Sequence, residues 1–367
     1  MTQLPQSAAF KDIVLNNTPL IDVRAPVEFD KGAFPHAVNL PIMNDEERHL
    51  IGIKYKQEGN AEAVKLGEKL VSGDIRASRV KGWLDFMAKN PKAMLYCFRG
   101  GQRSEISQML IAKEQKNIVR LRGGYKAFRN YLMDAIEDAP THFKPLILGG
   151  HTGSGKTILL HKIQNAIDLE GLANHRGSSF GRQTTEQPTQ INFENTLAYG
   201  LIQKLDLGFK TLIFEDEGAF IGRVYLPSNF AKYLSQAPLV ILETPIEERI
   251  KITFDEYIVK GQESYETSFG KGYLELWVRD IQDATKRIKK RLGGLRYERL
   301  CGIFDTALGI QTATGSLDAY KEWIAYLLTE YYDPMYDYQM KKNASRIVFR
   351  GASAQIEQYF NAIKDNA

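Results

Sequence analysis

The stretch Leu146–Ile163, LILGGHTGSGKTILLHKI, decides the architecture of the second half of the chain. A short apolar run, a strand by composition, leads into Gly150-x4-Gly155-Lys156-Thr157, and a helical run follows. That is a complete phosphate-binding loop in its required setting, with a strand before and a helix after. Gly150, Gly153, Ser154 and Gly155 make a turn whose backbone N–H groups can wrap a diphosphate. Lys156 is placed to meet the outer oxygens, and the Thr157 hydroxyl to bind Mg²⁺. The loop is a diphosphate cradle and does not by itself mean ATP hydrolysis. No adenine-recognition element is legible, so a nucleotide and a prenyl diphosphate are both admitted. Downstream, GFKTLIFEDEG reads as a strand ending in Glu215-Asp216-Glu217, where phosphate-loop proteins commonly place a carboxylate that positions metal or water. The pattern does not choose among the three. Between loop and carboxylates lies a polar stretch, residues 174–195, that reads as a long functional loop or lid.

The N-terminal half follows the same strand–loop–helix logic. LYCFRGGQRSE, Leu95–Glu105, carries one of only two cysteines. The strand KAMLYCF runs into Cys97, and the helix SEISQMLIAKEQ follows the loop. Only the thiolate is a good nucleophile, and cations or helix N-termini favour it. Cys97 is followed by Phe98, Arg99, Gly100, Gly101, Gln102, Arg103 and Ser104, a Gly-rich, Arg-flanked loop suited to holding an anion against sulfur. Leu20–Val23 and NIVRLRGGYKAF supply further strand-and-turn units, and EERHLIGIKYKQEGNAEAVKLGEKLV and VKGWLDFMAKN are helical. Strands alternating with helices imply a parallel sheet covered on both faces, with chemistry at the carboxyl ends of the strands.

Composition sets the bounds. The 367 residues suffice for two or three domains with real cores, and 43% apolar with 25% charged residues is an ordinary globular profile. Cys97 and Cys301 stand 204 positions apart and make no disulfide framework; Cys301, with no anion loop around it, reads as structural. There is no basic-then-apolar leader and no apolar run of membrane-spanning length, so the expected setting is a reducing cytoplasm without membrane contact. A net charge of +4 permits a nucleic-acid partner without arguing for one. The best local hint is TKRIKKRLGGLRYERL, 285–300, whose Arg287, Lys290, Arg291 and Arg296 lie near many aromatic residues, including Trp277, Trp323, Tyr331, Tyr332, Tyr336 and Tyr338. Cations beside aromatics suit RNA with splayed bases, although a charged helix face is more often simply solvated.

DVRAPVEFDKGAFPHAVNLP, the Cys97 loop and LRGGYKAF together resemble the rhodanese domain, over about residues 8–138. The spacing Cys97-x5-Arg103 is longer than in many sulfur-transfer rhodaneses and resembles dual-specificity cysteine phosphatases, a cradle for phosphate or for phosphate carrying sulfur or selenium. The pairing of this unit with GGHTGSGKT, and the runs MNDEERHLIGIKYKQEGNAEAVKLGEKLV, CFRGGQRS and LRGGYKAFR, resemble the tRNA 2-selenouridine synthase family over nearly the whole chain. The resemblance implies an N-terminal rhodanese-like parallel-sheet domain, then a phosphate-loop α/β domain (146–260) after a linker (139–145), and a mostly helical C-terminal region (261–367) with candidate tRNA contacts. It implies action on 2-thiouridine at the tRNA wobble position, with geranyl diphosphate and selenophosphate as co-substrates, Mg²⁺ at Thr157 and an enzyme that supplies selenophosphate. Cys97 would carry selenium and Arg103 and the loop would hold the phosphate end. The two domains are expected to pack closely around a basic cleft. The rival is a cysteine-dependent phosphatase or sulfurtransferase regulated by a nucleotide-binding domain; Tyr96, where a phosphatase would place histidine, counts against its phosphatase form.

Overall fold

The computed structural model describes residues 4–365. It divides into two compact units: the chain up to Ala139 joined by Pro188–Leu207, and Pro140–Gln187 joined by the chain from Gly208 onward. Each is built on one five-stranded sheet in which every pairing is parallel, as alternating strands and helices predict.

In the first unit the strands are β1 (Gln6–Ser7), β2 (Leu20–Asp22), β3 (Ala37–Asn39), β4 (Met94–Tyr96) and β5 (Val119–Leu121), ordered β1-β5-β4-β2-β3. The inner strands β2 and β4 are buried at every position, the signature of a sheet covered on both faces. Ile21, Val23, Leu95, Ile111 and Trp83 form the core beside Cys97, and the Trp83 indole N–H is satisfied by the Leu40 carbonyl at 2.8 Å. The helix Asp45–Leu70 opens with a reciprocal cap, Asn44 and Glu47 exchanging backbone and side-chain bonds at 2.8 Å, and breaks at Gly59, whose φ is 84°.

The polar stretch read as one loop over 174–195 ends sooner. Thr189 caps a helix, Gln190–Asp206, that belongs to the first unit. Phe193, Leu197, Ala198, Leu201 and Ile202 recur at helical spacing and are buried. The helix is fastened by Arg129, which pairs with Glu194 and donates to Asn195 Oδ1 at 2.7 Å, and by Asn192 and Asn195, which bond the backbone of Ala33 at 2.7 Å each. Local polarity hid this helix because its anchors lie 65 to 162 residues away in sequence.

The second unit has β6 (Lys144–Gly150), β7 (Ala166–Ile167), β8 (Thr211–Glu215), β11 (Leu239–Leu242) and β12 (Ile347–Gly351), ordered β12-β11-β6-β8-β7, with a separate hairpin of β9 (Phe220–Ile221) and β10 (Val224–Tyr225). Strand β6 begins inside the stretch read as linker. Strand β12 and the helix Ser353–Asp365 bring the C-terminal end back to this sheet. The intervening helices, from Ile246–Phe254 to Asp333–Lys342, enclose an aromatic cluster. Trp277, Phe304, Tyr320 and Trp323 pack ring on ring with centroids 5.5–5.8 Å apart. This corrects the aromatic half of the RNA argument: Trp277, Trp323, Tyr331 and Tyr332 are core residues, and only Tyr338 of those six is largely exposed, at 70%. Among the described residues no helix is long and apolar enough to cross a membrane.

Candidate functional site

Cys97 follows β4 at the carboxyl edge of its sheet and is buried. Its Sγ lies 3.2 Å from Ser104 Oγ and 3.8 Å from the Gly101 carbonyl. The loop runs into the helix Gln102–Lys113, whose first-turn N–H groups have no acceptor within the helix. The LRGGYKAF motif holds the loop from behind: the Tyr125 and Lys126 N–H groups donate to the Cys97 and Phe98 carbonyls, both at 2.9 Å. Gly124, at φ 61°, allows this approach, since a Cβ there would come 2.2 Å from the Cys97 carbonyl oxygen. Arg120 secures the loop tip through the Gly100 carbonyl at 2.6 Å. Arg103 does not stand free. It is forked onto Glu28 at 2.5 and 3.1 Å, and Glu28 also takes Arg48 at 3.1 Å. Burial alone would raise the Glu28 pKa, but the hydrogen bonds and charge of Arg103, with Arg48, lower it. Glu28 lies within DVRAPVEFD, so the motif was visible while the partner it holds was not.

The phosphate loop follows β6, the middle strand of its sheet. Gly153 has φ 78°, and a Cβ there would lie 2.3 Å from Thr253 Oγ1, so only glycine fits. Buried Arg249 donates to the Thr152 carbonyl at 3.0 Å and is fixed by Asp333 at 2.5 and 3.1 Å, while Thr244 Oγ1 donates to the Ser154 carbonyl at 2.9 Å. These donors occupy loop carbonyls. Lys156 Nζ folds back onto the Gly150 and His151 carbonyls at 3.0 and 3.2 Å. A cavity of about 480 Å³ opens over the loop, lined by Lys156, Thr157, Asp168, Glu170, Arg176 and Glu217, with Gly153, Ser154 and Gly155 in its wall.

The three carboxylates left undistinguished by sequence fall in different places. Glu215 is buried and accepts the Leu169 N–H at 2.7 Å; Asp216 turns toward Gly149; Glu217 lines the cavity. Sequence reading missed their partners Asp168 and Glu170, which follow β7, a strand too short to announce itself. Gly177 of the 174–187 loop sits on the acidic pair, its N–H bonding Glu170 Oε1 at 2.6 Å. A Cβ there would lie 2.3 Å from Glu217 Oε1.

Burial, then repulsion from Asp168, pushes the Glu215 pKa up to about 10; burial, then Glu170, pushes Glu217 up to about 9. Burial lowers the Lys156 pKa despite the acids nearby. Glu217 therefore keeps its proton when folded at pH values where the unfolded chain has lost it. The stability this contributes is full below the ordinary carboxylate range and is lost as pH rises toward about 9. Glu217→Gln is expected to flatten the decline in Tm between about pH 6 and 9, measured by thermal scanning fluorimetry; an unchanged slope would remove Glu217 from this account.

Among the described residues no three His, Cys, Asp or Glu side chains form a metal cage. The donor set still fits Mg²⁺, which takes one or two carboxylates and completes its shell with water and phosphate oxygens. Thr157 and Glu217, both lining the cavity, are the residues that would hold it. The basic stretch is exposed, but its members are partly engaged. Arg287 donates to the Ser179 carbonyl at 2.7 Å, Arg291 meets Met335 Sδ at 3.1 Å, Arg296 pairs with Glu330 at 2.9 Å, and Lys290 is exposed.

A thiol loop on one parallel sheet and a phosphate loop on another define a fusion of a rhodanese-like domain with a P-loop domain. Residues 7–131 match the rhodanese-like domain family, and residues 143–367 the tRNA 2-selenouridine synthase AAA domain. A tRNA 2-selenouridine synthase of Sulfurovum sp. (strain NBC37-1) is 66% identical over 359 residues, 98% of this chain and 99% of that protein. Those of Hydrogenovibrio crunogenus and Marinobacter nauticus are 53% and 46% identical, each covering 98% of the relative and 99% and 98% of this chain. The chain belongs to the tRNA 2-selenouridine synthase family.

Proposed function

We propose that this protein converts 2-thiouridine at the wobble position of tRNA into 2-selenouridine in two steps, one at each loop. The observation that carries this is the presence on one chain of two anion cradles of different chemistry: a thiol with Arg103 and a helix N-terminus, and a phosphate loop with a half-buried lysine. Family membership supplies the substrate class.

In the first step the thiocarbonyl sulfur attacks C1 of geranyl diphosphate. A C–S bond forms, the C–O bond breaks and diphosphate leaves. Lys156 and the loop amides stabilise the charge that the departing diphosphate gains. Mg²⁺, when bound at Thr157 and Glu217, would neutralise further charge there. Alkylation turns a poor leaving group into a good one. In the second step the Cys97 thiolate attacks C2 and sulfur departs as geranylthiol, taking up the proton that the thiol gave up. Selenium of selenophosphate, its phosphate end held by Arg103 and the loop amides, then attacks C2 as the bond from C2 to the Cys97 sulfur breaks, and water cleaves the Se–P bond to release phosphate. Dividing one hard substitution into two easier ones is the logic of covalent catalysis. An enzyme that makes selenophosphate must supply the second co-substrate.

The test is mass spectrometry of nucleosides from a 2-thiouridine tRNA incubated with the protein, Mg²⁺ and geranyl diphosphate, with and without selenophosphate. The expected result is a geranylated base that becomes 2-selenouridine when selenophosphate is added. An unchanged base with folded protein would put the phosphatase or sulfurtransferase reading first.

A further inference from the structure

A groove of about 770 Å³ runs between the helices Asp45–Leu70 and Gln102–Lys113 of the first unit. It meets the thiol cradle only at Gln102 and Arg103. One wall is Ile42, Met43, Ile106 and Leu110, and these same residues pack in the apolar cluster that contains Cys97. Facing them are Ile51, Ala63, Val64 and Val71. Arg103 and Glu28, the pair beside the thiol loop, close one end. The rim carries Arg48, Lys56, Arg76, Lys113 and Arg103 against Glu28 and Glu68, an excess of positive charge. The size is that of a small-molecule site, and apolar walls under a cationic rim call for an apolar chain carried on an anionic molecule. A bare nucleobase would leave its polar edges unpaired against these walls.

We propose that this groove receives the ten-carbon prenyl chain of S-geranylated uridine while its C2 is presented to the Cys97 loop. The inference rests on the two-step reading above and adds to it the means by which the second site recognises the intermediate. The groove is continuous with the thiol's own apolar surroundings, so a chain lying in it would be tethered beside Cys97. The phosphodiester backbone of the carrier tRNA would meet the cationic rim.

The experiment uses tRNA bearing either S-geranyl- or S-methyl-2-thiouridine at the wobble position, with selenophosphate, and two variants, Met109→Glu and Val64→Glu. Both residues line the groove, and Met109 is 44% exposed, so its replacement leaves the core alone. Each variant is expected to raise KM for the S-geranyl tRNA at least about tenfold, because a carboxylate in the groove wall opposes burial of the chain. The S-methyl tRNA, which has no chain to seat, should react as it does with the unaltered protein. Equal effects on both substrates, or no effect on either, would overturn the proposal. Calorimetry of the unaltered protein with the S-geranyl and S-methyl nucleosides gives an arm independent of turnover: equal affinity for the two also overturns it. Failure of the unaltered protein to selenate S-geranyl tRNA, with the prenyl preference intact in calorimetry, would instead sink the two-step reading.

Discussion

Cys97→Ser is expected to leave S-geranylation of 2-thiouridine tRNA intact and to cut selenium incorporation by at least about a thousandfold. The physical ground is local. The side chain is 3% exposed, against Ser104 Oγ and the Gly101 carbonyl, and a hydroxyl fits the same space and the same two partners. The loop should therefore keep its shape while losing its nucleophile, since a serine hydroxyl has no thiolate-like form near neutral pH. Nucleoside mass spectrometry reads both products from one reaction: the geranylated base should accumulate and 2-selenouridine should disappear. Equal loss of both steps would mean that the two loops do not divide the work.

Lys156→Ala is the complementary case. Geranylation should fall by about 10²–10³-fold, the scale seen when a preorganised donor to developing charge is removed. Selenation of tRNA already carrying the S-geranyl group should continue. The lysine is half-buried against the Gly150 and His151 carbonyls, with Glu170 and Glu217 nearby, and its desolvation lowers its pKa. An arriving diphosphate would supply compensating negative charge beside the lysine. Thermal scanning confirms folding of the variant, and the diagnostic quantity is the ratio of the two steps. If pre-geranylated tRNA also stopped reacting, the phosphate loop would be serving selenium transfer as well.

Much of the architecture was legible because the relevant signals are local. A phosphate loop declares itself in eight consecutive residues, and Gly150, Gly155, Lys156 and Thr157 all sit at the strand–helix junction that the motif requires. The Cys97 loop lies likewise between strand and helix, and parallel sheets followed from the alternation of elements. The misreadings share one cause. The helix Gln190–Asp206 reads partly as loop because its N-terminal turn is polar, and those polar residues bond Ala33 and Arg129 far away in sequence. Trp277 and Trp323 suggest RNA only by the density of aromatics around them, and density does not tell a core from a surface.

What sequence by itself determined, then, were the two loops: their thiol, their cations, their glycines and the α/β scaffold beneath each. Hydrogen-bonded loops of short span are encoded by neighbouring residues, so a single pass along the chain finds them. Only tertiary structure decided that Arg103 is held by Glu28, that Glu217 and not Asp216 faces the cavity, that Asp168 and Glu170 join it, and that an apolar groove lies beside the thiol. Those are matters of charge, burial and proximity between residues tens of positions apart, and such energies exist only once the chain has brought the partners together.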